Sequence, residues 1–149
     1  MIREGLPQDM EAITHVRTSV MENHLSVEGM TAIGITREGV IADMKAGNYG
    51  CWVAEEHGTI VAFSMADRRD GSIFALFTLP GKEGRGYGTQ LLAEAEQWLA
   101  ARGIMDAWLS TGSGTVAERF YARRGWVATN ETTKHPEDVV FRKRLSQSR

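Results

Sequence analysis

Disulfides, membrane-spanning segments and a strong charge of either sign are all missing from this sequence. Cys51 is its only cysteine, so no intramolecular disulfide can form. It lies in a strand-like stretch without a base beside it, which predicts a packed core thiol rather than a nucleophile. No apolar run approaches the ~20 residues that cross a bilayer, and residues 1–5 lack the apolar stretch of a signal peptide. We therefore expect a cytoplasmic protein with no membrane partner.

The charge balance and the histidine spacing argue against two further classes. The formal net charge of −2 and the pI of about 6.1 provide no basic footprint for nucleic acid. Two short basic clusters, at residues 123–124 and 142–144, are typical of solvated faces or helix ends. The four histidines and the single cysteine show no metal-ligand spacing, so we expect no metal site.

The length of 149 residues suits one domain over residues 1–149, with a polar tail from about residue 146. Apolar residues recur at helical spacing in some segments and at strand spacing in others. The predicted order is β-α-α-β-β-β-α-β-α-β-β, an α/β fold with helices on the faces of a mixed sheet. Helices are predicted at 7–24, at 36–47, from the glycine-rich segment to residue 103, and at 115–124. Strands are predicted at 1–4, 49–56, 59–67, 72–79, 104–110, 126–133 and 139–145.

The strand predicted at 72–79 contains five consecutive apolar residues, 73–77. A run of this kind without alternation is typical of a strand near the centre of a sheet. We therefore expect this strand to be buried on both of its faces.

Directly after that strand comes the glycine loop, Gly84-Arg85-Gly86-Tyr87-Gly88, and then the clearest amphipathic helix of the chain. Such a loop presents free backbone N–H groups at a helix N-terminus, where the dipole is positive and phosphates bind. Glycine leaves room for the phosphate to approach the amides, and Arg85 adds a positive charge. We therefore predict a ligand that carries phosphate groups.

Two common phosphate motifs fit this loop poorly. A P-loop requires Lys followed by Ser or Thr after its last glycine, where this sequence has Thr89-Gln90. A dinucleotide fingerprint requires glycine at position 89 and normally follows the first strand of a parallel unit. A protein that binds ATP or NAD is therefore the least favoured alternative, and a plain strand-to-helix turn would not need three alternating glycines.

The glycine loop, with Pro80 before it and Leu91-Leu92 after it, resembles the cofactor motif of the GNAT N-acetyltransferases, Arg/Gln-x-x-Gly-x-Gly/Ala. The later segment Ala117-x-x-Phe120-Tyr121-x-x-x-Gly125-Trp126 resembles the second motif of that family, at the matching separation. The element order resembles the family over the whole chain.

Two positions depart from the family pattern. Glu83 stands where the family usually has Arg or Gln, and we expect it to point outward while Lys82 or Arg85 supplies the charge. Gly114 replaces a common asparagine, for which Ser113 or Thr115 is the candidate substitute.

The resemblance implies that acetyl-CoA lies in a V-shaped opening where the fourth and fifth strands splay apart, without a metal. Pantetheine would pair with the backbone of residues 77–79, and the pyrophosphate would bind the amides of residues 84–89. The implied cofactor-binding residues are Phe77, Thr78, Leu79, Gly84, Arg85, Gly86, Tyr87, Gly88, Thr89, Thr115, Ala117, Phe120 and Tyr121.

The reaction implied by the resemblance is direct transfer of acetyl from the CoA thioester to a primary amine. Tyr121 is by resemblance the general acid that protonates the CoA sulfur, and a phenol carries its proton at neutral pH. The backbone N–H of Leu79 is the candidate oxyanion donor. Glu22, with His24 nearby, is the candidate base or substrate contact, and an ordered water chain is the alternative.

Two function classes stay open within this resemblance, an acetyltransferase and an acetyl-CoA-binding sensor that transfers nothing. The motifs do not determine the acceptor, and the candidates are an amino acid, a polyamine, an aminoglycoside or other xenobiotic amine, and a protein N-terminus or lysine. Homodimers are common in the family that the sequence resembles.

Overall fold

Seven strands form a single sheet in the computed structural model, which describes residues 1–20, 29–30 and 34–146. The strands are β1 (Ile2–Glu4), β2 (Tyr49–Glu56), β3 (Thr59–Asp67), β4 (Ser72–Thr78), β5 (Asp106–Gly112), β6 (Val127–Ala128) and β7 (Asp138–Arg144). Their order across the sheet is β1-β2-β3-β4-β5-β7-β6, and only β4 and β5 run parallel as neighbours.

Helices cover the two faces of this sheet. In the described part of the chain they are α1 (Met10–Ser19), which follows a 3-10 turn at Pro7–Asp9, α2 (Arg37–Lys45), α3 (Tyr87–Ala101) and α4 (Val116–Arg123). The predicted order of elements and the mixed α/β class are confirmed.

Helix α3 packs on one face because its apolar residues recur at helical spacing. Leu91, Leu92, Ala95 and Leu99 are buried against β2 and β3 side chains. Burying each leucine contributes about 1.5–3 kcal/mol to folding. The Ser64 hydroxyl on β3 donates to the Leu91 carbonyl at 3.0 Å, which ties the helix to the sheet. On the opposite face, α1 and α2 cover a second core cluster that contains Cys51, as the prediction of a packed core thiol required.

The sheet opens between β4 and β5. These strands pair at a single register position, Ser72 with Trp108, whereas β5 continues to pair with β7 along its whole length. The prediction that β4 is buried on both faces is therefore wrong. Phe74 is 45 % exposed, and residues 75–78 are partly exposed, because β5 leaves this edge of β4 after Ser72.

Several predicted boundaries also need correction. Helix α1 ends at Ser19 rather than near His24, since Val20 already has extended backbone angles. Strand β5 begins at Asp106, two residues late, because the N–H groups of Gly103 and Ile104 still bond the Ala100 and Leu99 carbonyls in a Schellman-type helix end. Strand β6 has two residues instead of eight, as expected of a short edge strand.

The packing of the Trp98 side chain of α3 on β2 predicts a sensitivity at Gly50. A β-carbon there would lie 2.8 Å from Trp98 Cδ2 and would also contact Trp52. We expect Gly50→Ala to lower the free energy of unfolding by about 1–3 kcal/mol through overpacking, measured by urea denaturation.

The matched control is Thr59→Ala at the exposed start of β3, which should change stability by less than about 0.5 kcal/mol. A Gly50→Ala protein as stable as the native one would contradict the close packing of Trp98 on β2.

A candidate cofactor cleft

The opening between β4 and β5 continues into a cavity of about 840 Å³. That volume lies within the usual range for small-molecule and cofactor sites. Its walls come from β4, the glycine loop, the end of β5 and α4. The lining residues are Val20, Ile73, Phe74, Ala75, Leu76, Phe77, Thr78, Pro80, Lys82, Glu83, Gly84, Arg85, Gly86, Tyr87, Gly88, Thr89, Ser110, Thr111, Val116, Ala117, Phe120, Tyr121, Arg123 and Arg124.

The glycine loop turns the chain from β4 into α3 with a left-handed backbone. Gly84 and Gly86 have φ angles of 78° and 83°, which residues with side chains rarely adopt. Gly86 is the N-cap of α3, and no side chain caps the helix. The first helical bond is donated by Gln90 to the Gly86 carbonyl at 3.2 Å. The N–H groups of residues 87–89 therefore remain at a positive helix end that can bind an anion.

A carboxylate from outside the loop holds it in place. Glu56, at the end of β2, accepts hydrogen bonds from Lys82 Nζ at 3.0 Å, Arg85 Nη1 at 2.7 Å and the Tyr87 hydroxyl at 2.6 Å. These three bonds, that of Tyr87 foremost, lower the pKa of the Glu56 carboxyl to about 2. Sequence reasoning missed this residue because its partners lie 26–31 positions away.

The Glu56 contacts change the predicted charge balance of the loop. Lys82 and Arg85 were the expected partners of a pyrophosphate, and both form ion pairs with Glu56 here. Glu83 is exposed, and its carboxylate accepts the Gly81 N–H at 2.8 Å. The backbone amides, rather than an unpaired cation, are thus the groups of the loop itself that remain available to an anion.

Tyr121 reaches the cleft from α4 while most of its side chain lies in the core. It is 7 % exposed, and its ring lies 5.4–6.2 Å from the ring centroids of Phe120, Trp126 and Phe141. Burial raises the pKa of its hydroxyl above the ordinary range for phenols. The group therefore keeps its proton at neutral pH.

Two predicted cofactor residues do not line the cleft. The Leu79 N–H, the predicted oxyanion donor, already donates to the Val61 carbonyl at 2.8 Å. The Thr115 hydroxyl caps α4, since it accepts the Glu118 N–H at 3.2 Å and donates to the Gly112 carbonyl at 2.8 Å. Both groups already have hydrogen-bond partners within the fold, and the roles of these two residues stay predictions. Phe77, Thr78, residues 84–89, Ala117, Phe120 and Tyr121 do line the cavity.

The alternation of the β4 backbone identifies replacement donors. Because the Leu79 N–H points towards β3, the N–H groups of Thr78 and Leu76 point to the opposite edge of the strand. That edge faces the cleft, and both residues line it. A β4 amide one residue before the predicted one is thus the backbone donor available to a ligand.

Three further predictions concern the base near the first helix, a metal site and a membrane-spanning segment. Glu22 and His24 lie outside the described residues. Among residues 1–20, 29–30 and 34–146, no cluster of three or more His, Cys, Asp or Glu side chains is placed to hold a metal ion. In the same ranges, no helix is long and apolar enough to cross a membrane.

Comparisons with known proteins agree with this geometry. The model of the acetyltransferase (GNAT) family matches residues 16–126. The fold resembles PaiA N-acetyltransferase from Thermoplasma acidophilum, solved with coenzyme A, at a TM-score of 0.81 and 17 % identity over 97 % of this chain and 98 % of that one.

Two further solved structures have similar folds. Ribosomal-protein-alanine N-acetyltransferase from Brucella melitensis has a TM-score of 0.76 at 18 % identity, over 97 % of this chain and 99 % of that one. The protein yncA from Salmonella typhimurium, solved with its cofactor acetyl-CoA, has a TM-score of 0.72 at 17 % identity, over 100 % and 95 % of the two chains.

The ionised Glu56 carboxylate predicts a pH-dependent contribution to stability. Glu56→Gln removes the negative charge that holds Lys82, Arg85 and Tyr87, so we expect a lower Tm at pH 7. The native pKa of about 2 lies below the ordinary value of 4.5. The stabilisation is therefore complete above about pH 4.5 and is lost as the pH falls towards 2. The difference in Tm between the two proteins should shrink across that window, as followed by thermal unfolding.

The control variant is Glu94→Gln, on α3 away from the loop, which should stay close to the native Tm at every pH. A Tm difference for Glu56→Gln that stays constant from pH 7 to pH 2 would contradict the role of the charge.

Proposed function

Because this chain belongs to the GNAT acetyltransferase family, we propose that it is an acetyl-CoA-dependent N-acetyltransferase acting by direct transfer to a primary amine. The observation that carries the proposal is the cleft between β4 and β5, with uncapped helix amides at one end and Tyr121 in its wall. The domain of this activity is taken to span residues 1–149, and the acceptor is a small molecule or a peptide.

In this proposal the two ends of the cleft bind different parts of acetyl-CoA. The amides of residues 84–89 bind the pyrophosphate at the positive end of α3. The cleft-facing edge of β4, with the N–H groups of Leu76 and Thr78, pairs with the pantetheine arm, which itself carries amide groups. This edge is free because β5 leaves β4 after the Ser72–Trp108 pair.

The transfer step uses two groups of this chain. The neutral acceptor amine attacks the thioester carbon, and a β4 backbone N–H stabilises the negative charge that forms on the carbonyl oxygen. When the carbon–sulfur bond breaks, the Tyr121 hydroxyl donates its proton to the leaving thiolate, giving CoA–SH. The amine nitrogen loses one proton to solvent, and the Tyr121 phenolate recovers one, so charge and protons balance.

The amine proton leaves through water in this proposal. The described residues that line the cleft include one carboxylate, Glu83, and no histidine. Glu83 directly precedes the glycine loop, at the phosphate end of the cleft in this proposal rather than beside the reacting carbonyl. Glu22 stays the second candidate for the base.

A sensor that binds acetyl-CoA without transferring the acetyl group is the second candidate function. One observation favours it, namely that Glu56 pairs with both Lys82 and Arg85 and so removes one of their two positive charges. Such pairing weakens the attraction of the loop for a diphosphate. Formation of acetylated amine and free thiol with any acceptor of a primary-amine panel would exclude the sensor.

The first experimental test is thermal unfolding with saturating acetyl-CoA, CoA, ATP or NAD. A ligand at ~100 times its Kd stabilises the protein by about 2.7 kcal/mol, which for a domain of this size is roughly 5–10 °C in Tm. We expect this shift with acetyl-CoA and with CoA alone. No shift with either, or a larger one with ATP or NAD, would contradict the assignment of the glycine loop.

The second test isolates the proton donor. Tyr121→Phe keeps the buried ring but removes the hydroxyl, so we expect kcat to fall by about 10²–10⁴-fold with nearly unchanged acetyl-CoA affinity. Because burial raises the pKa of Tyr121, the native rate should not decline through loss of this proton near pH 10, where free phenols ionise. Steady-state kinetics across pH measure both effects.

The matched control is Tyr87→Phe, which removes the hydroxyl that donates to Glu56 at the glycine loop. This change should affect cofactor affinity and leave kcat close to native. Equal kcat values for Tyr121→Phe and the native enzyme would remove Tyr121 from the mechanism.

A further inference from the structure

A second cationic group lies in the cleft wall, next to the first turn of α3. Arg124, directly after α4, lines the cavity together with Arg123. Its guanidinium stacks on the Phe120 ring at 3.8 Å from the centroid. It also donates to Thr89 Oγ1 from Nε at 3.1 Å and from Nη2 at 2.7 Å, and to the Phe120 carbonyl from Nη1 at 3.2 Å.

These contacts hold the guanidinium in place without neutralising it. The groups it contacts are a hydroxyl, a carbonyl and an aromatic ring, and within the described ranges no carboxylate lies at ion-pair distance from it. Lys82 and Arg85 differ, because Glu56 pairs with both. Arg124 is therefore a fixed positive charge at the cleft that retains its full charge for a ligand.

Arg124 lies close to the amides that are proposed to bind the diphosphate. Thr89, which it contacts, lies in the first turn of α3, beside the amides of the glycine loop. In CoA, the ribose that carries the diphosphate on its 5′-carbon also carries a phosphate on its 3′-carbon. A diphosphate on the loop amides thus places the 3′-phosphate about one ribose away, and Arg124 lies within hydrogen-bonding distance of the first turn of α3.

We propose that Arg124 binds the 3′-phosphate of CoA and makes the protein discriminate CoA from dephospho-CoA. This inference rests on the proposed function. Three of the five N–H groups of Arg124 are used in the contacts above, which leaves one on each Nη for the phosphate oxygens. Arg is suited to such two-point binding of phosphate. The existing contacts also reduce the side-chain entropy lost on binding.

The experiment measures Kd for CoA and for dephospho-CoA by isothermal titration calorimetry with three proteins: native, Arg124→Gln and Arg102→Gln. Arg102 is a matched control, because it also stacks on an aromatic ring, that of Trp98 at 4.0 Å, and donates to a carbonyl oxygen four residues before it. It lies at the far end of α3 from the glycine loop.

We expect the native protein to bind CoA about tenfold or more tightly than dephospho-CoA, the size of one hydrogen-bonded charge pair. Arg124→Gln should lose most of this preference by weakening CoA binding, with dephospho-CoA binding nearly unchanged. Arg102→Gln should behave as native with both compounds. The native preference should also shrink at high salt.

Three results would overturn the inference. Equal native affinity for the two compounds removes the 3′-phosphate contact while the proposed function stands. Equal weakening of both compounds by Arg124→Gln assigns the residue to the diphosphate or to packing. Binding of neither compound by the native protein overturns the proposed function and this inference together. Arg124→Lys, which keeps the charge, is the second variant if Arg124→Gln lowers the Tm, and it should retain part of the preference.

Discussion

The parting of two parallel strands is the constraint on which the rest of the site depends. Strand β4 is held by β3 and β5 by β7, so each has a complete antiparallel partner on its outer side. Between them, only Ser72 and Trp108 pair. Antiparallel pairing is slightly more stable per residue than parallel pairing, and sheet twist separates strands that follow different partners. The result is an exposed row of backbone amides in the middle of the sheet, where an amide-bearing ligand can pair as a strand would.

The charge at the glycine loop depends on Glu56, which lies at the end of β2. The chain turns at Gly84 and Gly86, and two cations, Lys82 and Arg85, lie at this turn. The end of β2 brings the Glu56 carboxylate into contact with both cations and with the Tyr87 hydroxyl. A single exposed ion pair contributes about 0–1 kcal/mol; three donors on one carboxylate form a network that also fixes the loop conformation before a ligand arrives. Pre-organisation of this kind lowers the entropy cost of binding.

The proton donor proposed for the reaction is also a core residue. Tyr121 contacts Phe120, Trp126 and Phe141 through its ring, and the same burial raises the pKa of its hydroxyl. Its position depends on the start of α4, where the Thr115 hydroxyl caps the helix and the Glu118 carboxylate accepts the Gly114 N–H at 3.0 Å. The helix thus places Tyr121 in the wall of the cleft while the ring of the same residue packs in the core.

Local patterns determined much of this protein from the sequence alone: the order of elements, the cap at Thr36, the buried stripe of α3 and the turn of the glycine loop. Each of these depends on hydrogen bonds or spacing within a few residues, which one segment of sequence contains. Only the tertiary structure decided the exposure of β4, the engagement of the Leu79 N–H by Val61, and the contacts of Glu56 and Arg124. Those features join residues 18–35 positions apart, and they depend on which strands pair, in which register, and where two of them separate.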